Sequence, residues 1–183
     1  MRVLALDTET NGRDHRCDPD FRMLGLSYAY RDRKKCSKTI SGYLPIGHQK
    51  GNVSRDLFLS VMRGLLERSD AIVFHNAKFD IPVIKRSTDN ELDLWDYNWY
   101  DTMLMQHMIN ENLLNKSLDY LGKLYFNEGK EKSDAFDHIV NNLGWGWLSV
   151  GLVRDYAIQD AILTLRLFEY LYPKFVKEGF NSY

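Results

Sequence analysis

Cysteine and proline are scarce in this sequence, which contains two cysteines and four prolines among 183 residues. Cys17 and Cys36 stand among polar residues and lack the spacing of metal ligands. A disulfide framework and a cysteine-rich zinc site are therefore not expected. Two free thiols are typical of a reducing compartment, so we expect a cytoplasmic protein, or one in the host cytoplasm if the gene is viral.

A large excess of one charge and a long apolar run are also missing. Lysine and arginine number 24 and the acidic residues 25, which gives a formal net charge of −1. This balance excludes a generally basic coat for nucleic acid, although a bound metal could still supply positive charge locally. No apolar run approaches the roughly 20 residues of a membrane-spanning helix, and we expect no secretory leader, because a strand is predicted at the start of the sequence. We expect no membrane partner.

The apolar residues predict a single α/β domain over residues 1–183. Alternating or continuous apolar segments predict a first strand from residue 3 to the Asn11-Gly12 turn, and further strands over 23–30, 39–46, 71–74 and 95–100. Helical spacing predicts helices after the N-cap residues Ser54 and Ser117, over 77–85, from 102 onward and over 152–170. The order β-β-β-α-β-α-β-α-α-α favours a mixed sheet flanked by helices.

Two acids follow the first apolar segment at a spacing of two residues. In a strand, Asp7 and Glu9 project from the same face, whereas Thr8 points away. Two carboxylates at this distance repel each other, so either one takes up a proton or both hold a hard divalent cation. The simpler alternative is a strand that ends in a turn with both acids solvated.

Two further acids occupy particular settings. Asp80 comes shortly after a strand end, with Asn76 and Lys78 beside it, in a position where open α/β sheets bind ligands. The alternative there is an N-cap asparagine with two surface charges. Tyr156 and Asp160 are four residues apart and share one face of the last predicted helix, a pairing that also arises by chance.

The three motifs D-x-E, N-x-K-x-D and Y-x-x-x-D together resemble those of the DEDD superfamily of 3′–5′ exonucleases, in its tyrosine branch. The sequence is most similar to the proofreading exonuclease domain of family A DNA polymerases. The resemblance extends over about residues 3–175 and includes the segment Asp101-Thr102-Met103, which opens a predicted helix. It implies a ribonuclease H-like fold and a metal-dependent exonuclease activity.

The resemblance also implies a metal centre made of four carboxylates. Asp7, Glu9 and Asp160 would hold one divalent ion, and Asp7 would bridge to a second ion that Asp80 reaches through coordinated water. Two such ions stabilise the attacking and the leaving oxygens of an in-line phosphoryl displacement. Hard oxygen donors without a cysteine or histidine cluster suit Mg²⁺ or Mn²⁺.

By the same resemblance, Tyr156 would orient the attacking water. Asn76, Lys78 and the backbone of Thr10 would hold the 3′-terminal nucleotide. The family usually carries a hydrophobic residue shortly after the second acid, where this sequence has Asn11-Gly12-Arg13. Stacking on the terminal base would then fall to Arg13 or to an aromatic residue such as Trp145 or Trp147, which could alternatively pack the entry of the last helix.

We therefore expect a freestanding 3′–5′ exonuclease that releases nucleoside 5′-monophosphates from single-stranded DNA in proofreading or processing, since the sequence ends soon after the third motif. A separate DNA polymerase is the protein partner that such an arrangement implies. One alternative is RNA trimming of the RNase D kind. The other is a non-catalytic module that binds nucleic acid or a polymerase, although such a module has no need of four closely associated acids.

Overall fold

The computed structural model describes residues 1–12, 16–32, 38–128 and 147–180. These residues form ten helices and strands in the order that the sequence predicts. The strands are β1 (Val3–Thr10), β2 (Met23–Asp32), β3 (Lys38–Pro45), β4 (Ala71–Phe74) and β5 (Trp99–Asp101). The helices are α1 (Arg55–Leu66), α2 (Ala77–Ser87), α3 (Thr102–Ile109), α4 (Leu118–Phe126) and α5 (Val150–Lys177).

The strands form one mixed sheet in the order β3-β2-β1-β4-β5. The hairpin strands β1, β2 and β3 pair antiparallel, whereas β1 with β4 and β4 with β5 pair parallel. Because β1 lies at the centre and runs parallel to β4, the carboxyl ends of both strands lie at the same edge of the sheet. The predicted α/β fold with a mixed sheet and flanking helices is confirmed.

Each face of the sheet packs against a different set of helices. On β1, Leu4 and Leu6 point to the face covered by α1 and α2, where Met62 and Ile81 belong to the same core. Ala5 points to the opposite face and packs in the core formed largely by α5. Since side chains alternate along a strand, Asp7 and Glu9 continue the face of Ala5, and Thr8 continues the face of Leu6. The two acids of β1 therefore face α5.

Three details of the prediction are corrected. The segment 95–100 is not a strand throughout, because β5 begins only at Trp99. Before it the chain turns, with the Trp95 amide donating to the Asp93 carboxylate at 3.2 Å and the Tyr97 amide to the Leu94 carbonyl at 3.3 Å. Leu57, which the helical spacing after Ser54 predicts on the buried face of α1, is 50% exposed, and Leu59 is buried instead. The last helix is longer than predicted at both ends.

Two sets of predictions lie outside the described residues. The charges and the glycine of 127–137 predict a loop, most of which is outside them, and so are Arg13 and Trp145, two candidates for base stacking. Over the residues that are described, every helix is too short or too polar to cross a membrane.

Candidate active site

Three carboxylates meet where β1 and α5 face each other. One carboxylate oxygen of Asp7, one of Glu9 and one of Asp160 lie within 4.8 Å of one another. Glu9 and Asp160 are buried, at 7% and 6% exposure, and Asp7 is half-buried. The strand places two acids on one face, and the long helix brings the third acid from more than 150 residues away in sequence.

A cavity of about 490 Å³ opens beside this cluster. Its size lies within the range of about 300–1,000 Å³ that is usual for small-ligand sites. Tyr156 lines it one helical turn before Asp160, as their spacing of four residues requires. The lining residues come from β1, the start of α2, α3, the start of α4 and α5, and they are Asp7, Thr8, Glu9, Thr10, Gly12, His75, Asn76, Phe79, Met103, Ser117, Leu118, Tyr156 and Asp160.

The donor set fits a hard divalent cation. Within the described part of the chain, the cavity is lined by three carboxylates and by no lysine or arginine. Like charges this close and this shielded from water are costly unless a positive charge lies between them. Carboxylate oxygens are the ligands that Mg²⁺ and Mn²⁺ prefer, and the cluster contains no sulfur ligand that would favour zinc.

Asp80 lies behind the cluster rather than within it. Its Oδ1 accepts hydrogen bonds from the Thr8 amide at 3.0 Å and from the Thr8 hydroxyl at 2.7 Å. Asp80 is 3% exposed, and it is neither one of the three clustered carboxylates nor a lining residue of the cavity. Burial raises the pKa of Asp80 to about 7, against the effect of the two Thr8 hydrogen bonds. Asp80 thus fixes the residue between the two acids of β1.

Asn76 adopts a left-handed backbone conformation, with φ of 82°, immediately before α2. Asp101 holds it there, because the Asp101 carboxylate accepts from the amides of Asn76 at 3.0 Å and Ala77 at 2.8 Å. The same carboxylate caps α3 by accepting from the Met103 amide at 2.8 Å. The sequence marks Asp101 as a helix start, and the structure adds that one side chain fixes the beginnings of two helices.

Only some of the residues expected to hold the nucleotide line the cavity. Thr10 and Asn76 line the cavity, whereas Lys78 is exposed and is not one of the lining residues. The Thr10 hydroxyl donates to the Gly12 carbonyl at 2.6 Å, which orders the turn after β1. Trp147, a candidate for base stacking, is 63% exposed and lies outside the cavity lining.

The sequence does not predict the apolar residues that line the cavity. Phe79, Met103 and Leu118 line it, each from the beginning of a different helix. The cavity is therefore lined by apolar side chains as well as by acids. In the sequence these three residues resemble ordinary core positions, because nothing local shows that three helix starts converge.

A second tyrosine also lies near the acids. Burial, together with the negative charges of Glu9 and Asp7, raises the pKa of Tyr43 well above its usual range. The Tyr43 hydroxyl is therefore protonated near neutral pH. Tyr43 lies in β3, across β2 from Asp7, because Asp7 pairs with Ser27 and Ser27 pairs with Tyr43.

The order of the mixed sheet and the cluster of three carboxylates agree with the ribonuclease H-like fold and the nuclease metal site that the sequence predicts. Residues 1–175 match the 3′–5′ exonuclease family of the DNA polymerase A type. The chain belongs to this exonuclease family. The predicted exonuclease family is thereby confirmed.

Relatives in sequence are bacterial DNA polymerases. The chain is 26% identical over 179 residues to DNA polymerase I of Borreliella burgdorferi, and 26% identical over 178 residues to DNA polymerase I of Pseudomonas aeruginosa. These matches cover 97% and 94% of this chain but only 18% of each polymerase. The similarity is thus to a part of each polymerase.

Similar solved structures are nucleases. NrnC of Brucella melitensis with bound Mg²⁺ superposes with a TM-score of 0.65 at 18% identity, covering 98% of this chain and 76% of NrnC. RNase D of Trypanosoma brucei in complex with RNA superposes with a TM-score of 0.66 at 16% identity, covering 92% and 55%. At such low identity these similarities establish the fold.

Proposed function

We propose that this protein is a 3′–5′ exonuclease that releases nucleoside 5′-monophosphates from the 3′ end of single-stranded DNA. The observation that carries the proposal is the meeting of Asp7, Glu9 and Asp160 within 4.8 Å, beside a cavity that Tyr156 also lines. The DNA preference is supported by the family match and by the polymerase relatives.

Asp7, Glu9 and Asp160 would hold the divalent metal, Mg²⁺ or Mn²⁺. Bound ions of this kind stabilise the charge that develops on the attacking and leaving oxygens. Asp80 supports this arrangement through Thr8, whose amide and hydroxyl it binds. Its own contact to a second ion, through water, remains a prediction.

The chain's own side chains would orient the reactants. The Tyr156 hydroxyl would hold the attacking water in line with the terminal phosphodiester, in the manner of the tyrosine branch. The apolar lining residues Phe79, Met103 and Leu118 would offer contact area to the terminal base. Thr10 and Asn76, which also line the cavity, would bind the terminal sugar. Lys78 would contact the phosphate backbone from the exposed side of α2.

RNA is the alternative substrate, since one protein of the same fold, RNase D of Trypanosoma brucei, is described in complex with RNA. DNA and RNA strands of one sequence, each labelled at the 5′ end, would be incubated with the protein in Mg²⁺. We expect the DNA strand to be shortened several-fold faster. Faster shortening of the RNA strand would instead assign the protein to RNA trimming.

The Asp7→Ala variant is the control for contaminating nucleases in this comparison. If the wild type shortened neither strand in Mg²⁺ or Mn²⁺, the protein would be a non-catalytic module, contrary to the proposal. A recruiting DNA polymerase is a further expectation, for which the polymerase relatives are the support.

A further inference from the structure

The Tyr43 hydroxyl lies against Gly25, the residue of β2 that pairs with Glu9 of β1. In the sheet, Glu9 pairs with Gly25, and a Cβ atom built on Gly25 would lie 2.3 Å from the Tyr43 hydroxyl oxygen. Any larger residue at position 25 would therefore displace the ring. Glycine at this position leaves the space in which the Tyr43 ring lies beside the acids of β1.

The Tyr43 hydroxyl is bound to His48, with 2.8 Å between the oxygen and Nε2. The other ring nitrogen, Nδ1, lies 3.3 Å from the Leu148 carbonyl oxygen. A carbonyl oxygen can only accept, so Nδ1 carries the proton, and burial lowers the pKa of His48 and favours the neutral ring. Nε2 is then the acceptor, and the Tyr43 hydroxyl donates to it.

The loop that carries His48 is fixed to the sheet. The Asn52 side chain accepts from the His48 amide at 2.9 Å and donates to the His48 carbonyl at 2.6 Å. The amides of Ile46 and Gly47 both donate to the Leu24 carbonyl of β2, at 2.9 and 3.0 Å. These hydrogen bonds therefore hold His48 in place, three residues after the end of β3.

Leu148 lies two residues before α5, the helix that carries Tyr156 and Asp160. It forms a small core with Val153 and Ala157, and the rings of Tyr43 and Tyr156 both pack against that core. The hydrogen-bonded chain from Tyr43 through His48 to Leu148 thus joins β3 to the segment that begins α5. Tyr43 contacts the same core as Tyr156, and its hydroxyl lies beside the acids of β1.

We infer that Tyr43 and His48 are positioning residues for the exonuclease reaction, which hold the start of α5 so that Tyr156 and Asp160 face Asp7 and Glu9. They act through Leu148 and through the core around Ala157, without contact to the reacting atoms. The inference rests on the proposed function, in which Tyr156 orients the attacking water. A displacement of about 1 Å in such a group can cost on the order of 100-fold in rate.

The test compares Tyr43→Phe with Tyr125→Phe. Each substitution removes one hydroxyl from a hydrogen bond of 2.8 Å, in the second case the bond from Tyr125 to the Gln106 side chain. Tyr125 packs against Tyr170, which is roughly 21 Å along α5 from Tyr156. Both variants should lose similar thermal stability, so a difference in catalysis reports the position of the hydroxyl.

For Tyr43→Phe we expect kcat to fall by about 10- to 100-fold, with little change in KM for a short oligonucleotide. Tyr125→Phe should retain the wild-type kcat. His48→Ala should lose as much as Tyr43→Phe, and the double variant should lose no more than the larger single loss, because both residues act through one chain of contacts. Losses that multiply, or equal kcat values for Tyr43→Phe and Tyr125→Phe, would overturn the inference.

Hydrogen exchange gives a reading that does not depend on turnover. Amides between Arg154 and Asp160 should exchange faster in Tyr43→Phe than in the wild type, and should be unchanged in Tyr125→Phe. If the wild type shortened no strand, the proposed function would fail and the exchange comparison alone would decide the positioning role. Unchanged exchange in this segment would then reject it.

Discussion

Replacement of Asp7 by alanine is expected to reduce nucleotide release by about 1,000-fold or more, because stabilisation of the reacting charge by bound metal is worth several kcal/mol. Asp7 lies within 4.8 Å of both Glu9 and Asp160 through its carboxylate. It is one of the three residues that would hold the metal. The loss should appear in single-turnover rates at saturating Mg²⁺, and EDTA should reduce the wild type to the same level.

Folding and catalysis can be separated at this position with Asp7→Asn, which keeps the shape of the side chain. Removal of one charge from three neighbouring carboxylates relieves repulsion when metal is absent. In EDTA we therefore expect Asp7→Asn to unfold at the wild-type temperature or above it, although it is inactive. A folded Asp7→Ala variant with a near-normal rate would show that the metal assignment is wrong.

Tyr156→Phe is expected to lower the single-turnover rate by roughly 10- to 1,000-fold, the range seen for single positioned catalytic groups. The substitution removes the hydroxyl and keeps the ring, which packs against the core around Leu148 and Ala157. An ordinary phenol is protonated at neutral pH, so its hydroxyl is better suited to orient water than to act as a base. Stability and metal affinity should change little.

Asp160→Ala should cost more than Tyr156→Phe, because it removes a carboxylate from the cluster. Asp155→Ala provides the control on the same helix, since the Asp155 side chain is 73% exposed and outside the cavity lining. It should retain wild-type activity. An unchanged rate for Tyr156→Phe would mean that the tyrosine only packs, and that another group orients the water.

The parts of the site that follow from local pattern could be predicted from the sequence. The side-chain alternation of β1 puts Asp7 and Glu9 on one face, and the periodicity of α5 puts Tyr156 and Asp160 one turn apart. Both relations depend only on backbone geometry. The resemblance to a known superfamily then indicated that strand and helix would face each other, and the cluster of Asp7, Glu9 and Asp160 has that arrangement.

The parts that depend on distant contacts could not be predicted in this way. Asp80 is bound to Thr8 across 72 residues, and His48 approaches Leu148 across 100 residues. Neither pair has a local spacing that marks it. The sequence pattern predicts that β5 begins at residue 95, because Trp95 and Tyr97 are residue types that strands favour. In the structure their amides donate to turn acceptors instead, and the strand begins at Trp99.

The most direct test of the exonuclease assignment compares three single-stranded DNA substrates in Mg²⁺: a 5′-labelled strand with a free 3′-hydroxyl, the same strand ending in a 3′-phosphate, and a closed circle. If the terminal 3′-hydroxyl is held near Glu9 and Thr10, an added phosphate would lie against the clustered carboxylates, whose negative charge would repel it. We therefore predict a ladder that loses one nucleotide at a time from the free 3′ end, slow digestion of the 3′-phosphate strand and an intact circle. Rapid cutting of the circle would contradict the assignment and indicate an endonuclease.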